Sequence, residues 1–249
     1  MNTPASIFPS RALAFAAYFA ALGFMVYQLT VQTMLVPLSD FVGADLGVSA
    51  MQMTVISAAF LATYAFMQIP AGVLLDRFGA TWLVPAACMC VGAGSIYFSH
   101  SHTFIGAVGA RMLMGVAAAF AFPSIGMAAR RGLPASMFPF MMGLADVGFG
   151  LGGVIGNIGA SQLQPIIGWR GTMQAAALVA LPLAAIAFVC LPRKWFGAAA
   201  AIKSATITHG GLRSVLKSRE VRLAAVIYGG EQQPSHLRCR CRPRDFDRG

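Results

Sequence analysis

Six stretches of this chain are too long and too apolar to be core helices of a protein dissolved in water. They cover Ala12–Val36, Met51–Leu74, Trp82–Phe98, Phe104–Met127, Met137–Ala160 and Thr172–Leu191. A helix needs about 20 apolar residues to cross the hydrocarbon of a bilayer. Lipid supplies no hydrogen-bond partners, so such runs cross as helices, which satisfy their own backbone. Composition points the same way: of 249 residues, 57% are hydrophobic and 10% charged, where a water-soluble domain carries about 25% charged residues. The predicted fold class is an all-α membrane protein with six transmembrane helices. The first run is too long for a signal-peptide core and lacks a convincing small-residue cleavage site, so it reads as a retained span. The third is short and contains Pro85.

The net charge of +10 acquires meaning from its placement. Up to residue 192 the charges are Arg11, Arg77, Arg111, Arg130, Arg131 and Arg170 against Asp40, Asp45, Asp76 and Asp146. The other twelve Lys and Arg, with four acids, follow residue 192. A basic excess just outside an apolar region is a topology signal rather than a nucleic-acid footprint. With the N-terminus inside, the inner segments carry Arg11, Arg77, Arg130, Arg131, Arg193 and Lys194. The outer ones carry Asp40, Asp45, His100, His102 and Arg170. Positive residues stay inside, so both termini are expected to be cytoplasmic, in a bacterial-type inner membrane. The expected order is a cytoplasmic N-terminus (1–11), a six-span domain (12–191) and a basic cytoplasmic linker (192–222). An aborted seventh span (223–230) and an Arg-rich tail (231–249) follow. A frameshift or premature stop would join an eight-residue apolar start to such a tail; a natural basic, disordered tail is the alternative.

Cysteine usage assigns no metal. Cys88, Cys90 and Cys190 sit in apolar runs, and Cys239 with Cys241 forms C-x-C rather than C-x2-C. No cofactor is expected either. Gly148-Phe-Gly150-Leu-Gly152-Gly153 is a formal G-x-G-x-x-G, but no strand precedes it and spanning helix surrounds it. Hydrolase and metalloprotease signatures are missing, and Ser124 in Pro123-Ser-Ile-Gly126 is within a span, so no catalytic residues are assigned.

Between the second and third runs the sequence reads Gly72-Val-Leu74-Leu-Asp76-Arg77-Phe-Gly79-Ala80-Thr81. This resembles the G-x-L-x-D-R-x-G motif between helices 2 and 3 of the major facilitator superfamily, without the basic pair that usually ends it. Gly72 would permit close helix approach and Gly79 a tight turn. Asp76 is expected near the N-terminus of the third helix, where orphan N–H groups favour a carboxylate. Arg111-Met-Leu-Met-Gly115 resembles the family's R-x-x-x-G element, and Gly168-Trp169-Arg170 a junction common in it. The resemblance implies one six-helix half of a twelve-helix, gradient-driven transporter built from inverted three-helix repeats. It also implies a small-molecule solute, with the proton as a candidate coupling ion, carried along a cavity lined by spans one, two, four and five. A non-transporting fragment or a structural membrane protein packing with a partner is the competing class.

Two charges inside spans are functional candidates. Arg111 lies about 11 Å from the outer end of span four, and Asp146 about 13 Å from the inner end of span five. An ion pair, two cavity-facing charges or a purely structural pair are all compatible with those depths. Gly148, Gly152, Gly156 and Ala160 recur every fourth residue, a stripe for close helix packing. Ala187, flanked by Leu183 and Leu191, lies on no such stripe. Gln28 with Gln32, and Tyr64 with Gln68, are one turn apart and share faces, while Asn157 returns to the face of Asp146. These are candidate solute contacts, interhelical hydrogen bonds or interfacial anchors. A half alone leaves its polar wall uncovered, so self-association or a complementary half is expected.

The topology is directly testable. An impermeant thiol reagent applied to intact cells should leave Cys239 and Cys241 unlabelled; strong labelling would overturn the cytoplasmic C-terminus.

Overall fold

The computed structural model describes residues 11–191; the linker, the aborted span and the tail expected at 192–222, 223–230 and 231–249 lie outside the described residues. Among those described, the elements are α1 (Arg11–Thr33), α2 (Leu35–Leu46), α3 (Ala50–Phe78), α4 (Ala80–Ser99), α5 (Phe104–Ala118), α6 (Ala121–Gly132), a 3-10 turn (Ala135–Met137) and α7 (Phe138–Cys190). Five helical stretches are long and apolar enough to cross a membrane, the last being Ala135–Cys190. At 53 residues α7 is about twice a span, and Gly168 breaks it with φ +70° and ψ 171°. Its two arms, 138–167 and 169–190, are the fifth and sixth crossings.

The boundaries differ from the apolar runs for identifiable reasons. Span one extends to Leu46 because α2 continues α1 after a break at Met34. Pro37 is three residues into α2; it lacks the N–H that the Thr33 carbonyl would take, and its ring crowds that carbonyl. Span four breaks in the same way. Pro123 is three residues into α6 and deprives the Ala119 carbonyl, where α5 gives way to α6. Pro70, Pro85, Pro165 and Pro182 lie within helices that continue past them. The segment expected to be a loop after span two is helical through Phe78, and Gly79 alone, at φ +80°, turns the chain into α4. A capping box, Ser49 with Gln52, starts α3, and Thr103 caps α5 by accepting from Gly106 N–H.

Helices meet where glycine lets backbones touch. A Cβ at Gly148 would come within 2.6 Å of Leu22 Cδ1, and one at Gly152 within 2.7 Å of the Val26 carbonyl oxygen. One at Gly156 would collide with the Thr30 carbonyl and the Thr33 hydroxyl. Both helices advance by four residues per contact, so α1 and the first arm of α7 run parallel. Tyr18 adds to the seam by donating to the Met141 carbonyl at 2.5 Å, and Thr30 by donating to the Gly152 carbonyl at 3.1 Å. Gly115 of α5 abuts the Phe60 carbonyl and Thr63 hydroxyl of α3, Gly94 meets Met114, and Gly92 meets Ala180 of the second α7 arm. The outward surface is apolar: Phe66, Ile69, Ile105 and Val189 are 71–80% exposed, as suits lipid rather than water. Gly72 does not serve close approach as expected, since a Cβ there meets nothing within 4 Å. Ala187 is fully buried on one face with Ala176, Ala180 and Ala184, so a small-residue stripe does run through it, contrary to the expectation from its leucine neighbours.

Gly152→Leu is therefore expected to abolish most folded yield in detergent, because backbone cannot yield to the added side chain. Gly150→Leu, on the same arm with open space at its Cβ, should fold normally; equal yields would refute the seam.

Candidate functional site

Arg111 is the most enclosed charge among the described residues, and its partners follow from the break in span one. Pro37 ends α1 at Thr33, which leaves carbonyls of the last turn in want of donors. Arg111, from α5, donates through Nη1 to the Val31 carbonyl at 3.5 Å and through Nη2 to the Gln32 carbonyl at 3.2 Å. Its guanidinium also sits 4.8 Å from the centroid of the Phe60 ring of α3. A cation at a helix C-terminus complements the helix dipole. Arg111 therefore ties α5 to α1 and α3 at once, and only 2% of it is exposed. Its Nε has no partner.

The expected pairing of Arg111 with Asp146 is not formed. Asp146 is exposed on the first arm of α7 and makes no ion pair among the described residues, while Arg111 is enclosed between α5, α1 and α3 and committed to carbonyls and a ring. The two depths matched, but rotation about the helix axes separates them. Nor are both charges cavity-facing: Asp146 is on an open face and Arg111 is not. Gln28 is likewise enclosed, 1% exposed with an unpartnered Oε1, so it contacts no solute in this conformation. Gln32, Tyr64, Gln68 and Asn157 are half-buried. Tyr64 and Gln68 are one turn apart on α3, and Asn157 donates to the Gly153 carbonyl of its own helix at 2.9 Å.

The open face of the first α7 arm carries Gly143, Asp146, Gly150, Gly153 and Asn157, at alternating steps of three and four. A Cβ at any of its three glycines would meet nothing within 4 Å. The stripe Gly148, Gly152, Gly156 on the same arm is buried against α1. One helix thus presents two small-residue stripes, one packed and one uncovered.

Two charge clusters hold the ends of the bundle. At one end Asp76, on the last turn of α3, pairs with Arg131, on the last turn of α6, at 3.1 Å. Asp76 does not cap α4, whose N-cap Gly79 has no side-chain partner, and Arg77 lies 5.3 Å from the Phe78 ring centroid. The reason is that α3 continues helical past Asp76, so the carboxylate projects beside α6 rather than over the turn. At the other end Asp45 of α2 accepts from Trp169 Nε1 at 3.1 Å and pairs with Arg170 Nη2 at 2.8 Å. Arg170 Nη1 donates to the Ser99 carbonyl, and the guanidinium lies 4.4 Å from the Trp169 centroid. His102 Nδ1 is 3.3 Å from Arg170 Nη2. The sequence singled out Asp76, Trp169 and Arg170 but not their partners, Arg131 for Asp76 and Asp45 and Ser99 for the Trp169–Arg170 pair, because those lie between 55 and 125 residues away in the chain.

Six apolar crossings, glycine-mediated seams and an apolar outward surface define an integral, multi-pass membrane protein. Residues 13–230 match the Major Facilitator Superfamily, and the chain belongs to that family. It is similar to an uncharacterised MFS-type transporter of Methanocaldococcus jannaschii, 26% identical over 54% of this chain and 37% of that protein. It is also similar to the 4-hydroxybenzoate transporter PcaK of Pseudomonas aeruginosa, 24% identical over 70% of this chain and 36% of that protein. The match thus spans just over a third of the length of these curated relatives.

Exchanges at Arg111 should separate charge from packing. Replacing a buried charge by an apolar side chain of similar length is often neutral, so Arg111→Met is expected to keep a melting temperature within a few degrees of the parent. Arg111→Lys keeps the desolvated charge but not the planar fork that reaches two carbonyls, and should melt lower than the Met variant. The reverse order in detergent melts would refute the carbonyl-bridging role.

Proposed function

We propose that this chain forms the N-terminal half of a secondary transporter that moves a small polar solute across a bacterial-type inner membrane, with both termini cytoplasmic. The observation that carries this reading is the uncovered face of the first α7 arm. It sets Asp146 and Asn157 among the apolar residues of 138–160, with glycines that leave room for an opposing surface. An unpaired carboxylate at that depth is costly in lipid and belongs to a pathway or a protein interface. Asp146, Asn157, Gln32, Tyr64 and Gln68 make one wall of the pathway, and Asp146 is the group suited to take up a coupling proton. The loop motif Gly72, Leu74, Asp76, Arg77 and Gly79, with Arg131, holds the cytoplasmic ends of α3 and α6 together. Arg111 and Gly115 hold α5 against α1 and α3 and position the wall from behind. The names of the relatives support carriage of a small solute.

A second half supplies the other wall, since alternating access needs two bodies rocking about a shared site. Lipid cannot satisfy the polar face, and each unsatisfied group costs roughly several kcal/mol. The partner is a complementary six-helix half or a second copy of this chain.

The purified monomer in liposomes should show no gradient-driven, saturable uptake of any solute in a small-molecule panel. Uptake is expected from a self-associated or complemented form, and should fall at least tenfold in Asp146→Asn. Robust uptake by a demonstrated monomer would overturn the half-transporter reading.

A further inference from the structure

A groove of about 410 Å³ runs between α1 and the two arms of α7. Its floor is Gly23, Val26, Tyr27 and Thr30, and its sides include Gly159 and Val179. The two arms diverge from the Gly168 turn, and α1, whose Gly23 touches Leu183, closes the wedge only from behind. From Gly23 to Met34, its limits on α1, the groove follows about 16 Å of helix axis. Gly159 lies two residues beyond Asn157, about 200° around the helix. The groove and the polar face are therefore on opposite flanks of the first α7 arm, and a partner covering one leaves the other open to lipid. This holds whether or not the chain transports a solute.

One turn beyond Leu163, α7 and α2 form a second, shallower hollow of about 610 Å³, lined by Phe41, Asp45, Ile167, Trp169 and Arg170. Its chemistry changes from apolar to dipolar. The Arg170 side chain is 29% exposed and the Asp45 side chain 45%, so each keeps an edge toward the hollow while they pair with one another. Trp169 adds the amphipathic ring that favours the membrane–water boundary. Apolar groove and charged mouth thus follow one another along the membrane normal, in the order of a lipid tail and its headgroup.

We propose that these two hollows form a phospholipid site. One acyl chain lies in the groove between the α7 arms. The phosphate meets the exposed edge of the Arg170 guanidinium, and the headgroup amine meets Asp45. The neutral Asp45–Arg170 pair matches a zwitterionic headgroup rather than a net anion. In filling the wedge, the acyl chain covers the apolar flanks of α1 and α7 that no helix among the described residues covers.

Phosphatidylethanolamine carrying a diazirine in one acyl chain tests the site on the full-length chain in nanodiscs. Photolabelling is expected to concentrate on 155–163 and 175–183, and a phosphatidylglycerol analogue with the same tail should label there several-fold less. Gly159→Leu fills open space in the groove and should cut this labelling at least tenfold, while Gly153→Leu, on the same arm away from the groove, should label as the parent does. Labelling of the unmodified chain spread evenly over lipid-facing positions such as Phe66, Ile69 and Ile105 would overturn the site without recourse to either variant. So would undiminished labelling of a folded Gly159→Leu protein. Equal labelling by the two lipids would overturn the headgroup assignment.

Discussion

Close approach of backbones at glycine is the contact on which the bundle depends. Lipid tails are as apolar as leucine, so burying aliphatic surface between helices yields little net gain in a membrane. What remains is dispersion between well-fitted surfaces and a few interhelical hydrogen bonds, and both demand short distances. Gly148, Gly152 and Gly156 supply them between α1 and α7, Gly115 between α5 and α3, and Gly92 between α4 and the second α7 arm. Threonine recurs at these seams. Thr33 and Thr63 each return their hydroxyl proton to their own helix while standing against a glycine of the next one, which hides the hydroxyl from lipid and fills the space that glycine leaves.

The breaks in the crossings are the second constraint. Proline 37 and proline 123 occupy the same place in the second segments of spans one and four. A broken helix exposes carbonyls, and in hydrocarbon these must find donors. At the first break the donor is Arg111, so a charge that would be ruinous alone becomes the cap of a neighbouring helix. The same arrangement explains why it is fully enclosed and why it does not meet Asp146. Glycine 168 acts at the remaining junction, where only a positive φ lets the chain turn between two long arms without a loop.

Three faces of the first α7 arm then acquire different environments. One is packed against α1, another leaves Asp146 and Asn157 uncovered among the described residues, and the side toward the second arm opens into the groove. A periodicity of four builds the packed stripe, and an alternation of three and four builds the polar one. Both are present in the same twenty residues because a helix has room for more than one stripe.

How much of this could be read from the sequence depends on whether the cause is local. Crossing number, class and family were legible, since length, apolarity and the Gly72–Gly79 motif are properties of contiguous residues. The stripe at Gly148, Gly152 and Gly156 was legible as a spacing, but not that α1 is the helix it meets. Depth along a span follows from counting, which is why Arg111 and Asp146 seemed candidates for one another. Direction around the axis does not, because it is set by which neighbour each helix packs against. The tertiary structure alone turned Arg111 toward Val31 and Gln32, withdrew Gln28 from the pathway and moved Asp76 from a helix cap to Arg131. It also brought Asp45 to Arg170 across 125 residues. Each of these is a question of rotation and neighbourhood, fixed by packing between distant segments and absent from any single one.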